Sequence, residues 1–595
     1  MRWINIAAII LFGFNYSVLS PAQETTSSQQ TITPQQSSLP KATPTPPLPD
    51  NPPPVAPNFE APQRPLPSNQ RVGVSVDNQM TLTLEQAIEF ALQNSNDIDA
   101  ARNDVEVAEF SLRSARGVYD PQIEAESYYE SATTPTASLI GGAVNGSVVQ
   151  KRIFGSAGFG GLSPRFGGSY SARFDNSRTT TSNTNAFLNP QFPTLLTFSY
   201  TQPLFRNLRF DSNRRSIEIA KKNVEISDAE FRRRAIETIA AVEQAYWDLV
   251  FALRNLQVQL DAVRQARDQL ESNRRQVEKG ILPPIDLVAA TAQITTLEQN
   301  VYTAQENVTR AENALKVLML SNRNSPEWNA QIVPVSPVSL DPPRVSLKEA
   351  LDEALRSRPE VFQLKVSGEL NKIDEKFYRD QTKPQIDLTT SYTLQGLAGT
   401  VTQNGTGRVP PDFIGGYQTS LGNLFSTNYP SYRVGVTISL PLTNKVAQAN
   451  LGRTLAEGKK IENQREQLEQ IIEADVRNAL ESLRSAEARL ASAVAAREAA
   501  EKLFESEQRQ FRAGTTTFYL VQQRQIELIT ARSRELQAQT DLNKAISAFH
   551  RAIGSTLSAN NVKVSSGGNI YQVQTSRERA RLFFRIPRSN SGGQN

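Results

Sequence analysis

Cysteine is absent from all 595 residues, which excludes disulfides, thiolate metal sites, cysteine nucleophiles and the lipidated cysteine that anchors bacterial lipoproteins. Histidine is nearly absent: His550 stands alone after a helical apolar run, a structural position rather than a catalytic one. Beyond the N-terminal segment no apolar run reaches about 18 residues, so no helical membrane span is predicted and any crossing must be made by strands. An excess of either charge sign is lacking too, with 64 Lys and Arg against 60 Asp and Glu. A net +4 is too small for a nucleic-acid partner, and Arg232 to Arg234 read as a solvated helical face. Gly158-Phe159-Gly160-Gly161 has no strand-turn-helix setting for cradling phosphate and reads as surface loop. The composition predicts no enzyme, no metal and no cofactor.

What is present is a duplication. LEQAIEFALQNSNDI from Leu84 returns as LKEALDEALRSRPEV from Leu347, pairing Ala87 with Ala350, Ala91 with Ala354 and Ile98 with Val361. The same offset places Pro121-Gln122-Ile123 on Pro384-Gln385-Ile386. A second offset pairs Val242 with Val476, Leu249 with Leu483 and Gly280 with Gly514. Repeats this long argue for a pseudo-symmetric ring or barrel rather than a solenoid.

The ends differ from this plan. Arg2, the apolar stretch Ile4 to Leu19 and the small residues Ser20-Pro21-Ala22 predict an export signal cleaved after Ala22, residues 1–22. Residues 23–79, rich in Pro, Ser, Thr and Gln, predict a disordered spacer. The repeats are then 80–320 and 346–555, joined by a linker at 321–345 and followed by a C-terminal tail, 556–595.

Within each repeat, apolar residues at Ile239, Val242, Tyr246, Leu249, Leu253 and Leu256 step by three and four, a coiled-coil period. Ile472, Val476, Ala479, Leu483, Ala486 and Leu490 keep it in the second copy. A helix of about 70 residues is about 105 Å long, too long for a bilayer, and its many charges place it in water. Tyr246 and Trp247 read as packing. Gly280, before Pro283-Pro284, and Gly514, before three threonines, predict reversals into returning helices at about 285–320 and 518–553. Single helices are predicted at 84–116 and 347–382.

Four runs alternate apolar and polar residues: Ile123 to Ser131, Leu196 to Thr201, Ile386 to Gln395 and Tyr432 to Leu440. Three of them span about 9 residues, enough for a tilted strand to cross the apolar layer, and Leu196 to Thr201 is a shorter run of the same pattern. Stretches 132–194 and 396–430 read as surface loops. Four strands cannot close, and an open edge in lipid leaves backbone groups unsatisfied. Three copies with four strands each supply 12, an even number suited to such barrels.

At this point the chain resembles the TolC family of outer-membrane efflux proteins over about 80–555. The resemblance rests on the two L-x-x-A-x-x-x-A-L openings, the Pro-Gln strand entries, Gln202-Pro203-Leu204 and Leu440-Pro441-Leu442, Ala245-Tyr246-Trp247-Asp248-Leu249 and both glycine tips. It implies a membrane β-barrel plus an all-α tunnel, and a homotrimer in the bacterial outer membrane whose tunnel projects into the periplasm. It implies contact with outer-membrane lipid, with a periplasmic adaptor protein and through it with an inner-membrane pump. Adaptor docking would fall on the tips, at Lys279, Gly280, Ile281, Ala513, Gly514 and Thr515. The periplasmic entrance would carry Asp286, Tyr519, Leu520 and Gln523. Where the family gate has Tyr, Arg and two Asp residues, this chain has Phe511, Thr516, Leu520 and Gln523, which argues against an interlocking charge network; a Tyr519 to Asp286 hydrogen bond is the substitute. The exit duct of a type I protein-secretion system and an exported coiled-coil linker are the alternative readings.

Overall fold

The computed structural model describes residues 71–136, 141–143, 146–337, 340–564 and 570–572, all within the compact unit Pro67–Asn595. The predicted signal, most of the spacer and most of the tail lie outside the described residues.

The two repeats open alike. β1 (Ser75–Leu82) leads into α1 (Leu84–Asn94) and α2 (Asn96–Arg116). Thr83 caps α1 in a reciprocal box with Gln86, and Ser346 caps α5 (Leu347–Ser357) in the same box with Glu349. Each box satisfies two orphan helix donors. The single helices expected at 84–116 and 347–382 are each broken in two. Ser95 and Arg358 stand at matching positions with extended backbones, ψ 127° in both, before α2 and α6 (Pro359–Gln381). Pro359 accounts for the second break, since the residue before proline is driven out of the helical region.

α2 leads into β2 (Gln122–Pro135), β3 (Ser147–Leu162), β4 (Ser169–Thr181) and β5 (Leu188–Pro203). α3 (Ser212–Glu278), 67 residues and about 100 Å long, runs out and α4 (Ile285–Met319) returns. β6 (Ala330–Pro334) falls in the stretch read as a linker and pairs parallel with β1. After α5 and α6 come β7 (Gln385–Val401), α7 (Tyr417–Phe425), β8 (Pro430–Ser439), the 68-residue α8 (Lys445–Arg512) and α9 (Phe518–Ala552). α10 (Thr556–Ala559), β9 (Val562–Val564) and β10 (Ile570–Gln572) follow, and Val562 is buried against the first repeat.

The strand count differs from the sequence reading. All four expected strands exist, as β2, β5, β7 and β8, but the sheet has six, in the order β2-β3-β4-β5-β7-β8, each pair antiparallel. β3 and β4 occupy the predicted surface loop 132–194. Their small and polar residues hide the alternation from sequence: Gly158 and Gly160 are strand residues whose added Cβ would meet the β4 backbone at 3.1 Å. Loop 396–430 likewise begins inside β7 and holds α7.

Duplication is repeated in the core. Ala87, Ala91, Val242 and Leu249 are buried in the first cluster, and Ala350, Ala354, Val476 and Leu483 in the second. Tyr246 is fully buried, donating its hydroxyl to the Leu82 carbonyl at 3.1 Å and accepting from the Ser336 amide at 3.0 Å, so it packs as expected. Arg233 pairs with Glu230 and Glu237 on the α3 surface. β6 is fastened to α4 by buried charge: Lys316 pairs with Glu312 at 2.8 Å and donates to the carbonyls of Trp328 and Ala330, while Arg71 reaches the other side of Glu312.

Candidate functional site: the helical tips

The distal ends of the two long hairpins lie far in sequence from any strand. Helix α3 ends with the Gly280 amide bonded to Val277 and the Ile281 amide to Gln276; α8 ends with the Gly514 amide bonded to Phe511 and the Thr515 amide to Gln510. These are two Schellman motifs in matching register, which tie up orphan carbonyls and require a left-handed residue. Gly280 has φ +72° and Gly514 φ +75°, as the reversals predict. An added Cβ at either would meet nothing within 4 Å, so the constraint there is backbone conformation, not space.

The two tips pack on each other. Phe511, Phe518 and Val521 from the second hairpin bury against Ala290 of the first, with Leu282, Leu270 and Phe504 around them. Gln522 donates to Gln293 at 2.9 Å across the same seam. The carried-over gate position Phe511 is therefore core of the tip, and Thr516 donates its hydroxyl to Glu507.

Around this seam the expected docking residues Lys279, Gly280, Ile281, Ala513, Gly514 and Thr515 are all exposed. Thr515 also donates its hydroxyl to the Gln510 carbonyl at 3.1 Å. At the entrance positions, Tyr519 is 70% exposed, Leu520 and Gln523 are exposed and Asp286 is partly covered. Gln523 bonds weakly along its helix to Glu527 at 3.4 Å. Within the protomer Tyr519, on α9, and Asp286, on α4, are not hydrogen-bonded to each other.

Two residues escaped the sequence reading. Ile285 and Val288, three apart on the first turns of α4, are 66% and 63% exposed and extend the apolar surface of Ile281, which is 68% exposed. The α4 stripe that turns inward is Ala290, Ile294, Leu297 and Val301. Sorting α4 into two apolar faces was the available signal.

The tips hold no cluster of His, Cys, Asp or Glu placed for a metal, among the described residues. What they can offer is two fixed turns and a rim of exposed apolar and polar side chains.

Comparison with known proteins adds the following. Residues 160–319 and 350–555 match the family model described as outer membrane efflux protein. The alkaline protease secretion protein AprF of Pseudomonas aeruginosa is 22% identical over 354 residues, covering 59% of this chain and 66% of that protein, just under two thirds of its length. The outer-membrane channel OprN superposes with a TM-score of 0.56 at 17% identity, over 84% of this chain and 99% of OprN. The Campylobacter jejuni outer membrane channel CmeC gives 0.56 at 14% identity, over 84% and 94%. At these identities the two channels show a shared fold.

Proposed function

We propose, starting from the premise that this chain belongs to the outer membrane efflux protein family, that it is the trimeric exit duct of a tripartite system. It conducts passively what an inner-membrane pump delivers through a periplasmic adaptor. The observation that carries this is the open sheet. β2 and β8 are its outer strands, and neither has a partner on its outer side among the described residues. In lipid each unpaired backbone group costs several kcal/mol, so copies must close one barrel edge to edge.

The helices support the second half of the reading. No described helix is long and apolar enough to cross a membrane, and α3 with α4 and α8 with α9 form hairpins leading away from the strands. The tips are then the parts of the duct nearest the inner membrane, and Lys279, Gly280, Ile281, Ala513, Gly514 and Thr515, with Ile285 and Val288, form the surface for adaptor helices. Asp286, Tyr519, Leu520 and Gln523 line the entrance. The likeness to AprF, named for alkaline protease secretion, favours a second reading in which the delivered cargo is a polypeptide of a type I secretion system.

Light scattering of the detergent-extracted protein tests the assembly. A trimer mass that collapses to monomer only on heating in SDS is the expected result. A monodisperse native monomer would overturn the proposal and leave an exported coiled-coil linker as the better account.

A further inference from the structure

The extra hairpin, β3 with β4, sits inside the sheet between β2 and β5, not beside it. Register alone carries a single row of side chains across all six strands: Ile123, Phe159, Ala172, Phe198, Tyr392 and Tyr432. One residue along, the opposite face carries Gln122, Gly160, Ser171, Ser199, Ser391 and Arg433. The inserted strands thus alternate in phase with the four that the sequence predicts to be membrane strands. At 16 and 13 residues both exceed the roughly 9–11 needed for a tilted crossing. Their lower turn is anchored as well. Phe166 and Gly167 take positive φ, the Phe166 carbonyl accepts from Gln202 Nε2 at 2.8 Å, and a Cβ on Gly167 would lie 2.7 Å from the Asn207 carbonyl before α3.

We infer that the β3–β4 hairpin is pore wall, raising the shared barrel to 18 strands and giving its lumen a charged girdle centred on Arg173. The count rests on the trimeric reading above, six strands from each of three protomers. Barrel diameter grows about linearly with strand number, so this lumen is wider than a 12-stranded one and suits bulkier cargo. The girdle belongs to β2, β3 and β4. Arg173 donates to Glu126 at 3.1 Å, Asp175 at 2.7 Å and Ser156 at 3.1 Å, all on the polar face. Glu130 faces Arg152 in register, and Arg152 covers the ring of Phe154, itself stacked on Tyr128 at 4.8 Å. Polar-face acids on these strands are Glu124, Glu126, Glu130 and Asp175 and the bases are Arg152 and Arg173, four against two, a net −2 per protomer. The matching band of β5 and β7 is mostly Ser and Thr. A wide lumen with net negative charge favours cations.

The absence of native cysteine makes the test direct. Single substitutions Ser156→Cys and Ser171→Cys on the polar face, and Phe159→Cys and Phe174→Cys on the apolar face, are reconstituted into liposomes. Each is exposed to a charged maleimide and, separately, to a lipid-soluble one. The charged reagent is expected to label only the two serine positions and the lipid-soluble reagent the two phenylalanine positions. Labelling of all four by the charged reagent would place the hairpin outside the bilayer and overturn the inference. Thr197→Cys and Phe198→Cys on β5 serve as references: if these fail to alternate, the barrel reading itself has failed. In planar bilayers Arg173→Gln should shift the reversal potential under a KCl gradient toward stronger cation preference. An unchanged reversal potential would remove Arg173 from the conducting path.

Discussion

Gly514 has positive φ and empty space around its missing Cβ, so a side chain there acts through backbone strain alone. Gly514→Val should cost about 1 kcal/mol or more at the tip. Trimer level in the outer membrane is expected to hold while adaptor crosslinking and transport fall; normal crosslinking and transport would reject the docking role, and loss of trimer would make Gly514 a folding residue. A second residue reports on pH. Glu243, buried where α3 meets α9, accepts from Ser547 and from Asn560, the latter at 2.9 Å, yet burial raises its pKa above 4.5. Below 4.5 both folded and unfolded carboxyls hold the proton and nothing is lost. As pH rises through the window between 4.5 and the raised folded value, the unfolded chain ionises first and stability falls, remaining lower beyond it. Glu243→Gln should therefore stabilise the protein at pH 8 and lose that advantage at pH 4, by thermal unfolding in detergent. An equal difference at both pH values would mean that ionisation of Glu243 is not involved. Gly280 and Gly514 were legible because a reversal between two helix-length patterns demands them, whereas Glu243 looked like any helical glutamate until α9 and Asn560 closed over it.

The capping boxes are the element-scale counterpart of the duplication. Thr83 and Ser346 each hold the first turn of a helix whose alanines enter a core cluster, so losing the hydroxyl frees a donor at the edge of packed structure. Thr83→Ala and Ser346→Ala should each cost about 1 kcal/mol. Because the two caps serve different clusters, the double substitution should equal the sum of the singles in denaturant unfolding; a large departure would show that the repeats are coupled at their openings. Helix existence and length in the long hairpins could be read from the heptad period, but the breaks at Ser95 and Arg358 could not be read equally. Pro359 announces one of them. No proline follows Ser95, which instead takes the N-cap position of α2 ahead of Asp97 and Asp99 in the first turn, with α1 and α2 both packed on α3.

At the scale of the whole molecule, this member of the outer membrane efflux protein family buries its two repeats in separate core clusters and carries, among the described residues, a six-stranded sheet with two open edges. The Pro-rich stretch before β1 has no apolar pattern to bring to either core. Deleting residues 25–70 should leave insertion and heat-sensitive trimers intact by SDS gel mobility; loss of trimers would show that the segment contributes to assembly. Arg71, which reaches Glu312, lies just beyond the deletion and is retained for that reason.

Sequence alone determined the duplication, the long water-borne helices, their glycine reversals and four membrane strands, because each is written in a local period of about 3.5 or 2 residues that survives without neighbours. Tertiary structure decided the rest. β3 and β4 are strands only because their glycines and hydroxyls fit between β2 and β5, a match between residues far apart that no local window records. β6 became core rather than linker because Lys316 and Glu312 hold it against α4, and Ile285 and Val288 became surface because Phe511 and Phe518 occupy the other side of the tip. Periodicity says which side of an element is apolar; only packing says what that side meets.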